Sequence, residues 1–211
     1  MRLRDREDSV VLGAFLGVVA LIAALVLALV SQWTAEPIAQ AAEKNREKAF
    51  YTLLLPEFDS IGNKIEYDGA IFYPVLKDSR IVGFVGQTTG SGYGGNIELL
   101  VGFTTDGKIT SVQVLRHRET PGLGANVCDR KFQRTIFNLF EKAPDLPANP
   151  TLDQFRSRNA AAAGKWKISK DGGEFDYLTG ATVTSRSITA MVNDLSVKFA
   201  KSGLMENGGV K

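Results

Sequence analysis

From Val10 to Val30 the chain carries no charged residue and is almost wholly apolar. At about 1.5 Å per residue, a helix of that length reaches about 30 Å, the thickness of a bilayer's hydrocarbon core. Nothing else in the sequence restricts the fold so sharply, because such a segment either crosses a membrane or is cleaved away. A cleaved signal peptide usually has an apolar region of only about 7–15 residues, and no cysteine follows the segment to carry a lipid. An uncleaved anchor is therefore expected. Arg2, Arg4 and Arg6 crowd the short tail before the span, whereas Lys44, Arg46 and Lys48 follow at a greater distance. The positive-inside rule then puts the N-terminus in the cytoplasm and the rest outside it. Trp33 fits an interfacial anchor. Gly13 and Gly17 make a G-x-x-x-G step that Ala20, Ala24 and Ala28 extend. A small-residue face lets another helix approach closely, and a lipid-facing anchor rich in small residues reads the same way.

Beyond the span remain roughly 175 residues, enough for one domain with a core of its own. The chain has one cysteine, Cys128, and one histidine, His117. That excludes a disulfide within the chain and a Cys/His metal cluster, and leaves no ligand set for an iron–sulfur cluster or haem. Any redox chemistry needs an organic cofactor. The tail arginines are offset by Asp5, Glu7 and Asp8, and a net charge of +2 gives no reason to expect nucleic acid.

Ala35 to Leu55 reads as a linking helix, with Pro37 near its start and an apolar side of Ala41, Ala49, Phe50, Leu53 and Leu54. From Ile65 the pattern shortens into β-rich runs. Ile71–Leu76 and Ile81–Val85 flank Lys77 to Arg80; Ile97–Phe103 and Ile109–Leu115 flank a turn with Asp106-Gly107, a hairpin signal. A mainly antiparallel sheet is expected. Gly92, Gly94 and Gly95, with Gly90 before them, make the link between these hairpins either a mobile loop or a place of close backbone approach. Val127 to Lys142 reads as a helix with Cys128 at its start, residues 143–150 as a linker, and Trp166–Ile168 and Phe175–Leu178 as strand-like. Ser185 to Lys201 is the clearest helix, with Ile188, Met191, Val192, Leu195 and Phe199 at core spacing. The end from Ser202 looks frayed.

Two separated motifs carry chemistry. Asp176-Tyr177-Leu178-Thr179-Gly180-Ala181-Thr182 leads into the last long helix, so Thr182 falls where free N–H groups and the positive end of the helix dipole can meet a phosphate. A plain capping turn reads the same way. Arg116-His117-Arg118-Glu119-Thr120-Pro121-Gly122-Leu123-Gly124 follows a strand. Together with Gly92-Tyr93-Gly94-Gly95 and the single span, the motifs resemble the FMN-binding-domain family. More narrowly they resemble the G components of Rnf-type (SoxR-reducing) electron-transport complexes, relatives of the C component of the sodium-translocating NADH:quinone oxidoreductase.

The resemblance implies FMN held covalently, by a phosphodiester to the Thr182 hydroxyl. It implies a flavin transferase that uses FAD and recognises Asp176. Thr179, Gly180, Ala181 and Ser185 belong to the attachment turn; Glu119, Thr120, Gly122 and Leu123 are expected near the ring. His117 and Tyr93 are weaker candidates for cofactor contact, and no metal ligand or catalytic residue is expected. The implied fold class is α+β. Its layout is a tail (1–9), an anchor (10–32), a linking helix (33–60), an antiparallel-sheet FMN-binding domain (61–202) with flanking helices, and a flexible tail (203–211). The implied function is electron transfer within a membrane-bound ion-translocating redox complex, beside its other integral and peripheral subunits. The domain would lie on the periplasmic side of a bacterial inner membrane. The chain lacks a dinucleotide fingerprint, so NADH would bind elsewhere. A membrane-anchored FMN sensor or assembly module, and a free-standing FMN reductase, are the competing readings.

Overall fold

The computed structural model describes residues 11–34, 58–131 and 146–207. The expected linking helix lies outside them, as do residues 132–145 and the last four. The chain divides into an N-terminal unit, residues 1–46, and a second unit, residues 47–211. The first contains helix α1, Val11–Thr34, with a mean hydropathy of 2.8 over its apolar window. It is long and apolar enough to cross a membrane. Thr34, at its C-terminal end, returns its hydroxyl to Val30 O at 2.8 Å.

The second unit is built on an antiparallel sheet: β1 (Ser60–Ile61), β2 (Ile65–Tyr67), β3 (Ala70–Lys77), β4 (Arg80–Ser91), β5 (Asn96–Thr104) and β6 (Ile109–Arg116). Strands β3 to β6 lie side by side in chain order, and β1 and β2 share the outer edge of β3. Both anticipated hairpins form. The turn Asp78-Ser79 has φ of 49° and 62° at two non-glycine residues. A two-residue turn that matches strand twist needs positive φ at both positions, and Asp59 Oδ2 steadies it by accepting the Asp78 N–H at 2.7 Å. Asp68-Gly69, with φ of 48° and 75°, closes a second such turn, between β2 and β3.

Helix α4 (Thr182–Lys201) lies across one face of the sheet. Ile188, Met191, Val192, Leu195 and Phe199 are all buried, as their three-and-four spacing predicts. The Phe199 ring stacks on Phe103 with centroids 4.3 Å apart and meets Phe72 and Phe84 at tilted angles. Truncating so enclosed an aromatic ring typically costs about 3–5 kcal/mol. Gly86 and Gly90 of β4 face the helix; a Cβ at Gly90 would overlap the Met191 thioether. The sheet is thus bare where the helix comes closest. Val75, Val85 and Leu100 form a smaller apolar cluster of their own.

Four expectations change. The described start of the run after β6 holds a short helix, α2 (Gly124–Cys128), which ends at Cys128 because Asp129 is extended at φ −87°, ψ 135°; the rest of the helix expected over 127–142 lies outside the described residues from 132 on. Cys128 therefore closes a helix rather than opening one. Trp166–Ile168 and Phe175–Leu178 are not strands. They share one isolated parallel bridge, Ile168 to Phe175, around a single 3₁₀ turn, and their apolar residues instead feed an aromatic cluster of Phe155, Trp166 and Phe175. Past Ser202 the chain makes a last turn, α5 (Leu204–Asn207), with Leu204 buried. Asn149, within the expected linker, is buried and starts helix α3 (Pro150–Asp153), accepting the N–H groups of Thr151 and Leu152.

Candidate functional site

Three stretches far apart in sequence meet beside the N-terminus of α4. The first is the tip of the β4–β5 hairpin, where β4 runs on to Ser91 and the Gly-rich stretch is a tight loop, closed by Gly92 N–H donating to Gly95 O at 2.7 Å. The second is the chain leaving β6, from His117 to Gly124. The third is Gly180 to Thr184.

Glu119 joins all three. Its carboxylate is buried, 6% exposed. Oε1 accepts the Gly94 N–H at 3.1 Å, and Oε2 accepts the Thr184 hydroxyl at 2.8 Å. A Cβ on Gly92 would overlap Oε1, and one on Gly124 would overlap Oε2 and come within 2.8 Å of the Thr184 hydroxyl. Two glycines therefore clear the space that one carboxylate fills. His117 holds the strand exit. Its Nδ1 accepts the Glu119 N–H at 3.2 Å and its Nε2 donates to Asp129 Oδ1 at 2.7 Å. Burial pushes the Asp129 carboxyl up, but hydrogen bonds from Lys131 and His117 outweigh it and hold it below the ordinary range. Burial, reinforced by the negative charges of Glu119 and Asp129, pushes the Cys128 thiol up to about 12, which makes it a packing residue with no nucleophilic character.

The meeting point encloses a cleft of ≈ 370 Å³, lined by Tyr93, Glu119, Thr120, Leu123, Gly124 and residues 180–184. That is within the roughly 300–1,000 Å³ of small-molecule sites. Its floor is polar, Glu119 and the start of α4. Its rim is apolar and open, with Tyr93 76%, Leu123 49% and Val183 45% exposed. The first backbone bond of α4 runs from Ser185 N–H to Ala181 O, so the N–H groups of residues 182–184 have no partner within the helix. Ala181 stands at the N-cap and offers no side-chain bond.

The hydroxyls of the turn have different fates. Thr184 donates to Glu119 rather than capping the helix. Ser185 donates to Ala181 O at 3.1 Å and accepts the Leu178 N–H at 3.2 Å. Thr182 lines the cleft, and its hydroxyl makes no hydrogen bond among the described residues. Thr179 is exposed and outside the lining, as are Asp176 and Gly122; Ser185 is buried behind it. Gly180, Ala181, Thr182, Glu119, Thr120 and Leu123, all singled out in the two motifs, line this one cleft. Tyr93, Val183 and Thr184 join them. The part played by Thr184 has no sequence signal, because its partner lies 65 residues away. His117 is next to the site without lining it.

Comparison with known proteins assigns this fold and cleft to the FMN-binding class of domain. The family model of the FMN-binding domain matches residues 92–196, which include every residue lining the cleft. The G component of the ion-translocating oxidoreductase complex of Pseudomonas aeruginosa (strain UCBPP-PA14) is 31% identical over 195 residues, covering 84% of this chain and 82% of its own. The corresponding G component of Cereibacter sphaeroides (strain ATCC 17023) is 29% identical over 201 residues, covering 90% and 84%. The crystal structure of the C component of the Na(+)-translocating NADH-quinone reductase from Parabacteroides distasonis shares the fold, with a TM-score of 0.52 at 14% identity over 80% of this chain and 95% of its own. The chain belongs to the FMN-binding-domain family, among the G components of ion-translocating oxidoreductase complexes.

Proposed function

We propose that the cleft holds FMN joined by a phosphodiester to Thr182, and that the chain relays electrons within a membrane redox complex of the kind its relatives are named for. The observation that carries the reading is Thr182 itself. It lines the cleft in the first turn of α4 with its hydroxyl uncommitted, beside N–H groups that have no helical partner. A phosphate there meets donors and the positive end of the helix dipole. Leu123, Val183 and Tyr93 offer apolar surface for a flat ring, and their exposure leaves its edge open to a redox partner. The cofactor supplies electron acceptance and donation; the chain holds and orients it.

Attachment needs FAD and a flavin transferase. Thr182 Oγ1 would bond to the flavin-side phosphorus of FAD as the pyrophosphate P–O bond to AMP breaks, with AMP as the leaving group and the hydroxyl proton released. Asp176 is exposed and free to meet such an enzyme. The α1 segment tethers the chain to the membrane, with the second unit on the periplasmic side.

Intact mass tests the attachment. The wild-type chain, matured with its transferase, should gain the mass of FMN less water, and Thr182→Ala should gain nothing. Thr179→Ala and Thr184→Ala should retain flavin in part or in full. A Thr182→Ala chain that keeps the added mass overturns the assignment.

A further inference from the structure

Glu119 has a role that its position in a cofactor cleft would not by itself suggest. Both carboxylate oxygens are already engaged, one by the Gly94 N–H and the other by the Thr184 hydroxyl. Each oxygen keeps a further lone pair, but the two bonds already fix where the carboxylate sits. The partners are donors, which suits an ionised carboxylate, and both are neutral. No Lys, Arg or His ion pair reaches Glu119 among the described residues; its nearest cationic neighbour in sequence, Arg118, is exposed. A buried charge with neutral partners is costly, and its field is poorly screened by water. The fold accommodates it through glycine at positions 92 and 124, where any side chain would collide with the carboxylate. Such a charge faces whatever occupies the cleft.

We infer that Glu119 is a positioning residue that fixes the Gly-rich loop against the start of α4, and that its charge holds the potential of a flavin in the cleft low. The inference rests on the cleft being the flavin site. The physical reason is electrostatic. Reduction adds negative charge to the ring, and a fixed negative charge in the cleft wall disfavours that addition while leaving the oxidised form almost untouched. The two hydrogen bonds keep the carboxylate from rotating away. One of them ties the loop carrying Tyr93 to Glu119 through the Gly94 N–H.

Two substitutions in the full-length, flavin-loaded chain separate charge from reach. Glu119→Gln keeps the size and can bond to both segments, with the Thr184 hydroxyl now accepting from the amide. It should load flavin to the wild-type level by intact mass, melt close to wild type, and show a midpoint potential shifted upward in spectroelectrochemical titration. Glu119→Asp keeps the charge but is one methylene too short to meet both partners. It should melt lower and keep a low potential. An unchanged potential in loaded Glu119→Gln overturns the inference, as does a rise in Glu119→Asp equal to that in Glu119→Gln. If Glu119→Gln fails to load, the Glu119→Asp potential alone decides, and a rise there overturns it. Wild-type protein without any bound flavin would count against the flavin site itself, a result that the mass spectrum reveals before any potential is measured.

Discussion

Gln154 and Asp176 grip each other through a reciprocal pair of hydrogen bonds. The Asp176 N–H donates to Gln154 Oε1 at 2.7 Å, and Gln154 Nε2 donates to Asp176 O at 3.1 Å. A side-chain amide thus takes the place of a neighbouring strand. The carboxylate of Asp176 takes no part in this pair, and the residue is exposed.

That division gives opposite signatures for two substitutions. Asp176→Ala should leave the melting temperature nearly unchanged, as exposed changes do within about 0.5 kcal/mol, while the yield of flavin attachment falls sharply. Gln154→Ala removes three bonds, the third from Gln154 Nε2 to Thr151 O; it should cost about 1–3 kcal/mol and lower attachment only modestly. Melting curves set beside intact mass would show whether the two effects part in this way.

Two glycines a single residue apart should respond differently to alanine. Gly122 has a φ of 81° with open space around it, so Gly122→Ala should cost about 1–2 kcal/mol from backbone strain alone. Gly124→Ala instead drives a methyl group into the Glu119 carboxylate and the Thr184 hydroxyl. Overpacking at a buried site typically costs about 1–3 kcal/mol, and here it should also displace Glu119 and disturb the flavin absorption spectrum. Urea titration gives the stabilities. A Gly124→Ala protein with a wild-type flavin spectrum would show that the carboxylate can move without consequence.

Acid should destabilise the domain through named carboxylates. Asp129 is held below its ordinary range by Lys131 and His117 against the opposing effect of burial, and Asp153 by Arg130 in the same manner. The folded state therefore binds protons less readily than the unfolded chain. Stability from these groups is present above the unfolded carboxylate value of about 4 and is lost as pH falls through the lower folded values. Melting temperature should drop steeply below about pH 4, and Asp129→Asn with Asp153→Asn should lower the stability at pH 7 and flatten that drop.

Membrane orientation has a direct test. A reporter that works only in the periplasm, fused after Lys211, should be active, and a cytoplasmic reporter at the same site should be silent. The reverse pattern would invert the proposed topology.

Much of the fold can be read from local patterns. The spacing of Ile188, Met191, Val192, Leu195 and Phe199 marks the buried face of α4, and Asp106-Gly107 marks its hairpin. The Asp78-Ser79 turn shows why such signals are incomplete, since its positive φ angles are supported by Asp59 from a distant segment. Trp166 and Phe175 read as strand-like because isolated apolar runs resemble strands, yet their rings pack with Phe155 and their backbones pair at one point. In the site, Thr182 and Leu123 stand out through motif and turn chemistry. The bond between Glu119 and Thr184 is a product of tertiary structure, and the demand for glycine at 92 and 124 makes sense only once that carboxylate is in place.

Ala181 gives the start of α4 an unfinished character. A Ser, Thr, Asn or Asp at that position would typically add about 1 kcal/mol by closing the open end of the helix, and alanine forgoes it. A phosphoryl group on the next residue would do the same work from outside the twenty standard side chains. In that case the prosthetic group is also the missing end-piece of the helix. Loaded and unloaded protein would then differ in thermal stability as well as colour, and the first turn of α4 is where amide hydrogen exchange should slow most on loading.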